Sequence, residues 1–425
     1  MACTLTLPTI VMPSSPRNSQ GAGAAASPLL RSVPVGRDPV ALAVDARTGR
    51  VFVVGAAGSV TTLDAATGRF LRSVAVGRGA QAVAVDEATG RVFVTDPGRA
   101  FMLDARSGAI LRALSLGGGP TGGLAVDVRH GEVFVPANGA PRPVEQGGGF
   151  GPGGFAVLDA ATGRLRRRLR QYGDPFALDG AARRLILPYS CGDTPGVADL
   201  CVDTLDAVTG RRIKTADLSS QNGYPQGPSA VAVDARAGRA FVLYGDGCGD
   251  VNIGTLATRT GVGQGLVGGA EGNSGTMAVD EGAGRIAIAT TLDDYMPNSN
   301  LGPPWAGALV SVLDTRSGRG LASTTIPTTS LEYLYRPVAV ADPQRGRFYV
   351  AATLYPSATV GPRSILDVFA ASSGRLVRTL PFPAAAAQLF DAPTGPTMAV
   401  DGRTSRLFIA NAGANTVSVL DTARL

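Results

Sequence analysis

Residues 82–116 read AVAVDEATGRVFVTDPGRAFMLDARSGAILRALSL, and this stretch decides the fold. Period-two alternation marks four short segments in it as strands. Asp86 and Asp104 are each followed four residues later by a glycine, Gly90 and Gly108. The aspartate oxygen caps the backbone of a short turn and the glycine tolerates positive φ, so each half of the stretch is a hairpin.

The unit recurs along the chain. Its first half, apolar-Ala-Val-Asp-x-x-x-Gly-Arg-apolar-Phe-Val, appears at 43–53, 84–94, 125–135 (with Glu132 for the arginine) and 232–242. Weaker copies lie at 177–187, 278–288, 339–350 and 399–409. The second half, ending apolar-Leu-Asp-x-x-x-Gly-Arg plus a further strand, appears at 61–76, 101–116, 155–169 and 312–326. Two hairpins make a four-stranded antiparallel sheet, and sheets repeated in this way predict an all-β fold, a β-propeller. Eight blades are expected, or seven if the weak copy at 176–218 is irregular. The last copy supplies only three strands, but LRSVPVG at 30–36 matches the fourth-strand sequence LRSVAVG at 71–77. An N-terminal strand that completes the C-terminal blade removes the open edge of the ring. The reading is one ring domain over 29–425, preceded by 1–28 as a disordered tail or the remnant of an export signal that lacks a basic start.

Composition agrees with this architecture. The chain has 425 residues, 44% hydrophobic and 17% charged, with 57 Gly and 29 Pro, which favours turns and short strands over long helices. A single histidine, His130, removes Ser-His-Asp triads, histidine-rich zinc sites and haem ligation. The net charge of +6 comes from arginines scattered singly, often after glycine in turns, apart from Arg166, Arg167, Arg168 and Arg170, with Lys214 the only lysine, so specific nucleic-acid binding is not expected. No apolar run is long enough for a transmembrane span.

The segment 406–422, RLFIANAGANTVSVLDT, is similar to the repeat of YVTN-type β-propeller proteins, and VFVTD at 92–96 is a second match. The resemblance covers nearly all of the chain beyond residue 29 and implies a propeller. It departs in blade five, where 256–261 lacks the Leu-Asp pair, and in blade seven, where Ala370 replaces that aspartate. It implies no catalytic constellation.

Function is expected on the face opposite the Asp-x-x-x-Gly turns, where 136–154, 188–203, 290–308 and 352–364 form long insertions. The recurrent aspartates Asp45, Asp86, Asp234 and Asp280, and His130 beside Asp127, read as turn-formers because the same residue in most blades does the same local job. Asp246, Asp250, Asp293 and Asp294 are candidate ligands for a hard cation such as calcium, which takes oxygen donors. Arg37, Arg78 and Arg336, in blade-to-blade connections, are candidates for an anionic ligand. Tyr189, Tyr244, Tyr295, Trp305 and Tyr355 are candidate contact aromatics, or small satellite cores under the loops. Cys191 and Cys201 share one insertion and are placed to form a disulfide, with Cys248 as a competing partner.

These features favour a non-enzymatic recognition propeller that binds a protein, glycan or small ligand on its long-loop face. The alternative is a metal-dependent, lactonase-like hydrolase held by the loop carboxylates. A monomer in a secreted or cell-envelope setting is expected, with a cytoplasmic one left open. No cofactor is called for, and calcium is the one ion that the carboxylates suit.

Overall fold

A computed structural model describes residues 27–117, 123–137, 153–171, 175–191, 200–218, 227–245, 250–271, 275–293, 306–327, 332–356, 363–382 and 397–425. Thirty-two strands fall into eight four-stranded sheets, and every pairing within them is antiparallel. Blade 1 shows the plan: β2 (Pro39–Asp45), β3 (Arg50–Gly55), β4 (Ser59–Asp64) and β5 (Phe70–Ala75), in that spatial order. Blades 2 to 7 repeat it, starting at Ala82, Ala125, Ala177, Pro228, Gly275 and Glu332. The weak copy at 176–218 is a regular blade, so the ring has eight blades and the seven-blade alternative falls.

Blade 8 is composite. β30 (Met398–Asp401), β31 (Arg406–Asn411) and β32 (Thr416–Asp421) are joined by β1 (Leu29–Pro34), which pairs with β32. Val33 of β1 is buried with Phe408, Val417 and Val419, so the closing strand contributes apolar burial as well as hydrogen bonds. The first strand of each blade lies beside the first strand of the next, and β2 lies beside β30, which closes the circle.

The core is divided among the blade interfaces. Each of the eight apolar clusters joins two neighbouring blades, as where Phe52 and Val54 of blade 1 meet Val92 and Phe101 of blade 2. Alternation explains this, since both faces of an inner sheet meet another sheet. The Asp-x-x-x-Gly turns lock the geometry. Asp45 is fully buried and accepts from the Thr48 amide, and Asp64 accepts from the Thr67 amide and hydroxyl. The turn glycines also make room for the neighbouring blade: Gly163 has φ +64°, and a Cβ there would lie 3.0 Å from Met102 Sδ of blade 2. His130 sits in the blade 3 turn with Nδ1 2.8 Å from Asp127 Oδ2. Blade 5 builds its turn without the aspartate, the Gly261 amide still donating to the Ala257 carbonyl.

Candidate functional site

The ring has two unlike faces. All the Asp-x-x-x-Gly turns lie on one, here the turn face; the second-to-third-strand and blade-to-blade connections lie on the other, the loop face. The second strands reveal a step in that loop face. They run for six residues in blades 1, 2, 3 and 8, seven in blades 4 and 5, nine in blade 6 (β23, Arg285–Asp293) and ten in blade 7 (β27, Arg347–Pro356). At about 3.4 Å per residue the sheets of blades 6 and 7 stand roughly 10–14 Å above those of blades 8 and 1.

This corrects the extent of the insertions. β15 (Arg184–Ser190) is followed by β16 (Leu200–Asp206), β23 runs to Asp293 before β24 (Ala306–Asp314), and β27 runs to Pro356 before β28 (Arg363–Ala370). Tyr189, Tyr244 and Tyr355 therefore belong to strands rather than loops. Pro136 and Pro188, the first residues of two of the expected insertions, lie inside β11 (Glu132–Ala137) and β15. There the inner strand of the blade has no residue opposite them, so no inner ladder needs the missing N–H.

The low sector holds two of the candidate arginines. Arg37 lies between β1 and β2, Arg78 between β5 and β6 (Ala82–Asp86), and both are exposed. Next to Arg37, Asp38 adopts φ 52° and its amide donates to Asn415 Oδ1 at 2.8 Å, tying the connection to blade 8. Arg336 lies in β26 (Glu332–Asp342) and Tyr355 in β27, where the backbone alone is described. Asp250 opens β20 (Asp250–Ala257) of blade 5 and Asp293 ends β23 of blade 6, so their backbones reach the loop face on neighbouring blades. Asp246, Asp294, Tyr295 and Trp305 lie outside the described residues, as does Cys248. Among the described residues no group of three or more His, Cys, Asp or Glu side chains is placed to hold a metal ion.

Tyr244 is fully buried and its hydroxyl donates to the Leu218 carbonyl at 2.6 Å across the interface of blades 4 and 5. It is a core residue with a satisfied polar end and not a loop-face contact. Cys191 and Cys201 are joined by a disulfide, with Cα atoms 5.7 Å apart, at the loop-face end of blade 4.

Beside that disulfide lies a polar group that the sequence pattern does not single out. Asp203, inside the third strand of blade 4, accepts from the Thr215 hydroxyl at 2.6 Å and has Arg212 Nη1 at 3.5 Å. Burial and the negative Asp203 push the nearby Tyr189 phenol up. Asp367 takes the equivalent place in blade 7; burial pushes its carboxyl up, against the hydrogen bond from the Thr379 hydroxyl. The one signal for either is a carboxylate at a position that should be apolar or hydroxylic.

On the turn face the ionisable groups serve the fold. The arginine that opens the second strand pairs with the outer-turn aspartate: Arg50 with Asp64, Arg91 with Asp104, Arg184 with Asp206, Arg285 with Asp314 and Arg406 with Asp421. Burial raises the Asp64 and Asp206 carboxyls, but hydrogen bonds from Thr67 and Thr209 and the paired arginines hold them below the usual range. At Asp104 and Asp314 the Ser107 and Ser317 amides dominate, with the same outcome. Blade 3 inverts the scheme. Glu132 replaces the arginine and Arg166 pairs with Asp159, whose carboxyl its hydrogen bonds hold down at about 2. Buried Glu132 is met by Arg166, Arg167 and Arg183, and the Arg167 hydrogen bonds hold its carboxyl low.

No family model matches the chain, and no curated protein matches it in sequence. Solved structures do match it. BamB from Moraxella catarrhalis is 15% identical with a TM-score of 0.52, over 92% of this chain and 99% of that one. Kuenenia stuttgartiensis hydrazine synthase is 13% identical with a TM-score of 0.51, over 92% and 97%. The computationally designed protein Ika8 is 15% identical with a TM-score of 0.54, over 92% and 99%. At these identities the likeness is one of fold, and it agrees with the sheets and their closure. The chain is an eight-bladed β-propeller.

Proposed function

We propose that this chain is a recognition propeller of the YVTN type, non-enzymatic, that binds a protein, glycan or small ligand on its loop face. The observation that carries the reading is the step in that face: tall blades 6 and 7 beside low blades 8 and 1 make a one-sided wall on an otherwise symmetric ring. A ring built for structure alone gains nothing from such a departure, whereas a rigid scaffold with one raised sector is the usual way to present a contact surface. In sequence Trp305 falls between the second and third strands of blade 6, and Arg37 and Arg78 lie in the low sector. The disulfide of blade 4 supports an exported or envelope location, since such bonds persist in oxidising compartments.

Trp305 is the chain's single tryptophan, so its fluorescence is a one-site probe of the segment that joins the second and third strands of blade 6. Titration with sugars, lactones, organic anions and calcium is expected to give a saturable shift with an organic ligand and no turnover. One observation favours a second reading, a metal-dependent hydrolase: Asp250 and Asp293 reach the loop face on adjacent blades. Lactone or ester turnover that dies on chelation and in the Asp246→Asn, Asp250→Asn, Asp293→Asn, Asp294→Asn variant would overturn the first reading in favour of the second.

A further inference from the structure

The turn face carries a ring of exposed arginines and aliphatic side chains that the fold does not use. Its turns, together with the first three residues of each outer strand, hold 30 of the chain's 39 Arg and Lys and 17 of its 33 Asp and Glu. The rest of the chain, with 9 and 16, is net acidic, so the +6 of the whole conceals a strongly basic face. Every one of those 17 acids lies in a turn, and the eight that end the inner strands are at most 3% exposed. The arginines are the outward groups. Arg69, Arg106, Arg164, Arg211, Arg259 and Arg375, from the outer turns of blades 1, 2, 3, 4, 5 and 7, are exposed, and none has an ion pair among the described residues.

Partly exposed apolar side chains follow these arginines at the start of the outer strands. Phe70 and Leu71, Ile110 and Leu111, and Leu376 and Val377 are between 39% and 54% exposed at the first two positions of their outer strands. The sequence repeats the pairing, as GRFL at 68–71, GRLR at 163–166, GRRI at 210–213 and GRLV at 374–377. The outer turns share one backbone pattern, in which the glycine amide bonds the carbonyl four residues back, at Gly68, Gly108, Gly163, Gly210, Gly261, Gly318 and Gly374. Equivalent residues therefore sit at one height around the ring, and the belt is an annulus.

We propose that the turn face docks on an anionic lipid surface, the arginines meeting headgroups and the aliphatic pairs entering the headgroup–acyl boundary. An annulus at one height suits a flat partner, and paired cationic and apolar side chains suit one that is negative outside and apolar beneath. A nucleic acid would call for a basic track with stacking aromatics, whereas Phe70 is the one aromatic among the exposed large apolar side chains of the described residues. The chain enters β1 at this same face, where the Asp421 amide bonds the Pro28 carbonyl. Docking there leaves the loop face turned towards solvent, free for the ligand proposed above.

The test is flotation of the full chain with phosphatidylglycerol–phosphatidylcholine vesicles and with phosphatidylcholine alone. Binding is expected to the anionic vesicles only, and to weaken as salt rises. Each arginine near an anionic surface contributes roughly a fivefold factor, so the combined Arg69→Gln, Arg164→Gln, Arg211→Gln, Arg375→Gln variant should bind roughly six hundredfold more weakly. Phe70→Ser with Leu111→Ser and Leu376→Ser should remove the binding that survives high salt, while the loop-face control Arg37→Gln with Arg78→Gln should bind as the parent does. All these side chains are exposed, so melting curves should stay unchanged. The proposal is overturned by a full chain that fails to float with anionic vesicles at low salt, by undiminished binding in the four-arginine variant, or by charge-dependent binding to polynucleotide without flotation.

Discussion

Replacing Glu132 by glutamine removes the charge on which three arginines converge. The carboxylate is 5% exposed at its side chain; Arg167 Nη1 and Nη2 lie 2.5 and 3.0 Å from its two oxygens, Arg183 Nη2 at 3.1 Å and Arg166 Nη1 at 3.3 Å. Removing one partner of a fully buried pair costs about 3–5 kcal/mol, but these guanidinium groups are 25–39% exposed and recover part of that in water. We expect about 2–3 kcal/mol. For a ring of this length the unfolding entropy scales to roughly 0.8 kcal/mol per degree, so Tm should fall by about 3–4 °C. Glu132→Arg is harsher, since it restores the arginine of the other blades while leaving Arg166, Arg167 and Arg183 around it. Arg166 occupies the place of Leu71 in blade 1, so the double variant Glu132→Arg, Arg166→Leu rebuilds the scheme in which Arg50 pairs with Asp64. It should recover most of the loss. Thermal unfolding followed by far-UV circular dichroism at pH 7, at low and high salt, reads all three. A Glu132→Arg variant that melts within a degree of the parent, or a double variant no better than the single one, would refute the view of these departures as one compensated unit.

Deleting residues 29–36 should cost at least about 4 kcal/mol, because it removes the β1–β32 ladder and the buried Val33; an unchanged melting curve would disprove the closure. Gly77→Ala should destabilise by about 1–3 kcal/mol, since a Cβ there would run into Asp96 Oδ2, whose pair with Arg99 is 2.7 Å long; a melt equal to the parent's would show that blade 2 yields freely. Acid should act through the turn-face carboxylates. Their folded pKa values lie below the unfolded ones, so the stability they give is complete above the ordinary carboxylate value of about 4 and is lost as pH falls from there, Asp159 persisting to about 2. Asp367, raised by burial, has the opposite sign and regains stability on protonation. Melting temperatures that do not fall between pH 4 and 2 would contradict the balance of these groups.

The ring was legible because each of its parts is local chemistry. Period-two alternation and an aspartate four residues ahead of a glycine define a hairpin within some twenty residues, and likeness between 30–36 and 71–77 assigns the closing strand. What stayed hidden crosses blades or contradicts a local signal. Glu132 and the arginine run at 166–168 are each conspicuous in the sequence, yet Arg183 lies 51 residues from Glu132, and only the ring brings them together. Arg183 also holds φ 55° where six other blades place glycine and blade 8 places Ser405 at φ 61°, and from there it reaches Glu132. Pro188 conceals the true end of β15, and glycine- and proline-rich segments conceal the added height of blades 6 and 7. Tyr244 reads as a loop aromatic until the packing of blades 4 and 5 encloses it.

The composite last blade sets a clock on biosynthesis. β1 leaves the ribosome long before its partner Thr416–Asp421 is made. At about 5–20 residues per second, the segment Leu29–Pro34 waits roughly 20–80 s with its backbone unmatched. Through that interval seven blades can form and stack side by side, yet the arc they make has two bare ends, each able to capture a strand from another nascent chain. Spacing between ribosomes and supply of chaperone during that minute, more than the strength of any single blade, should then set how much of the protein closes on itself.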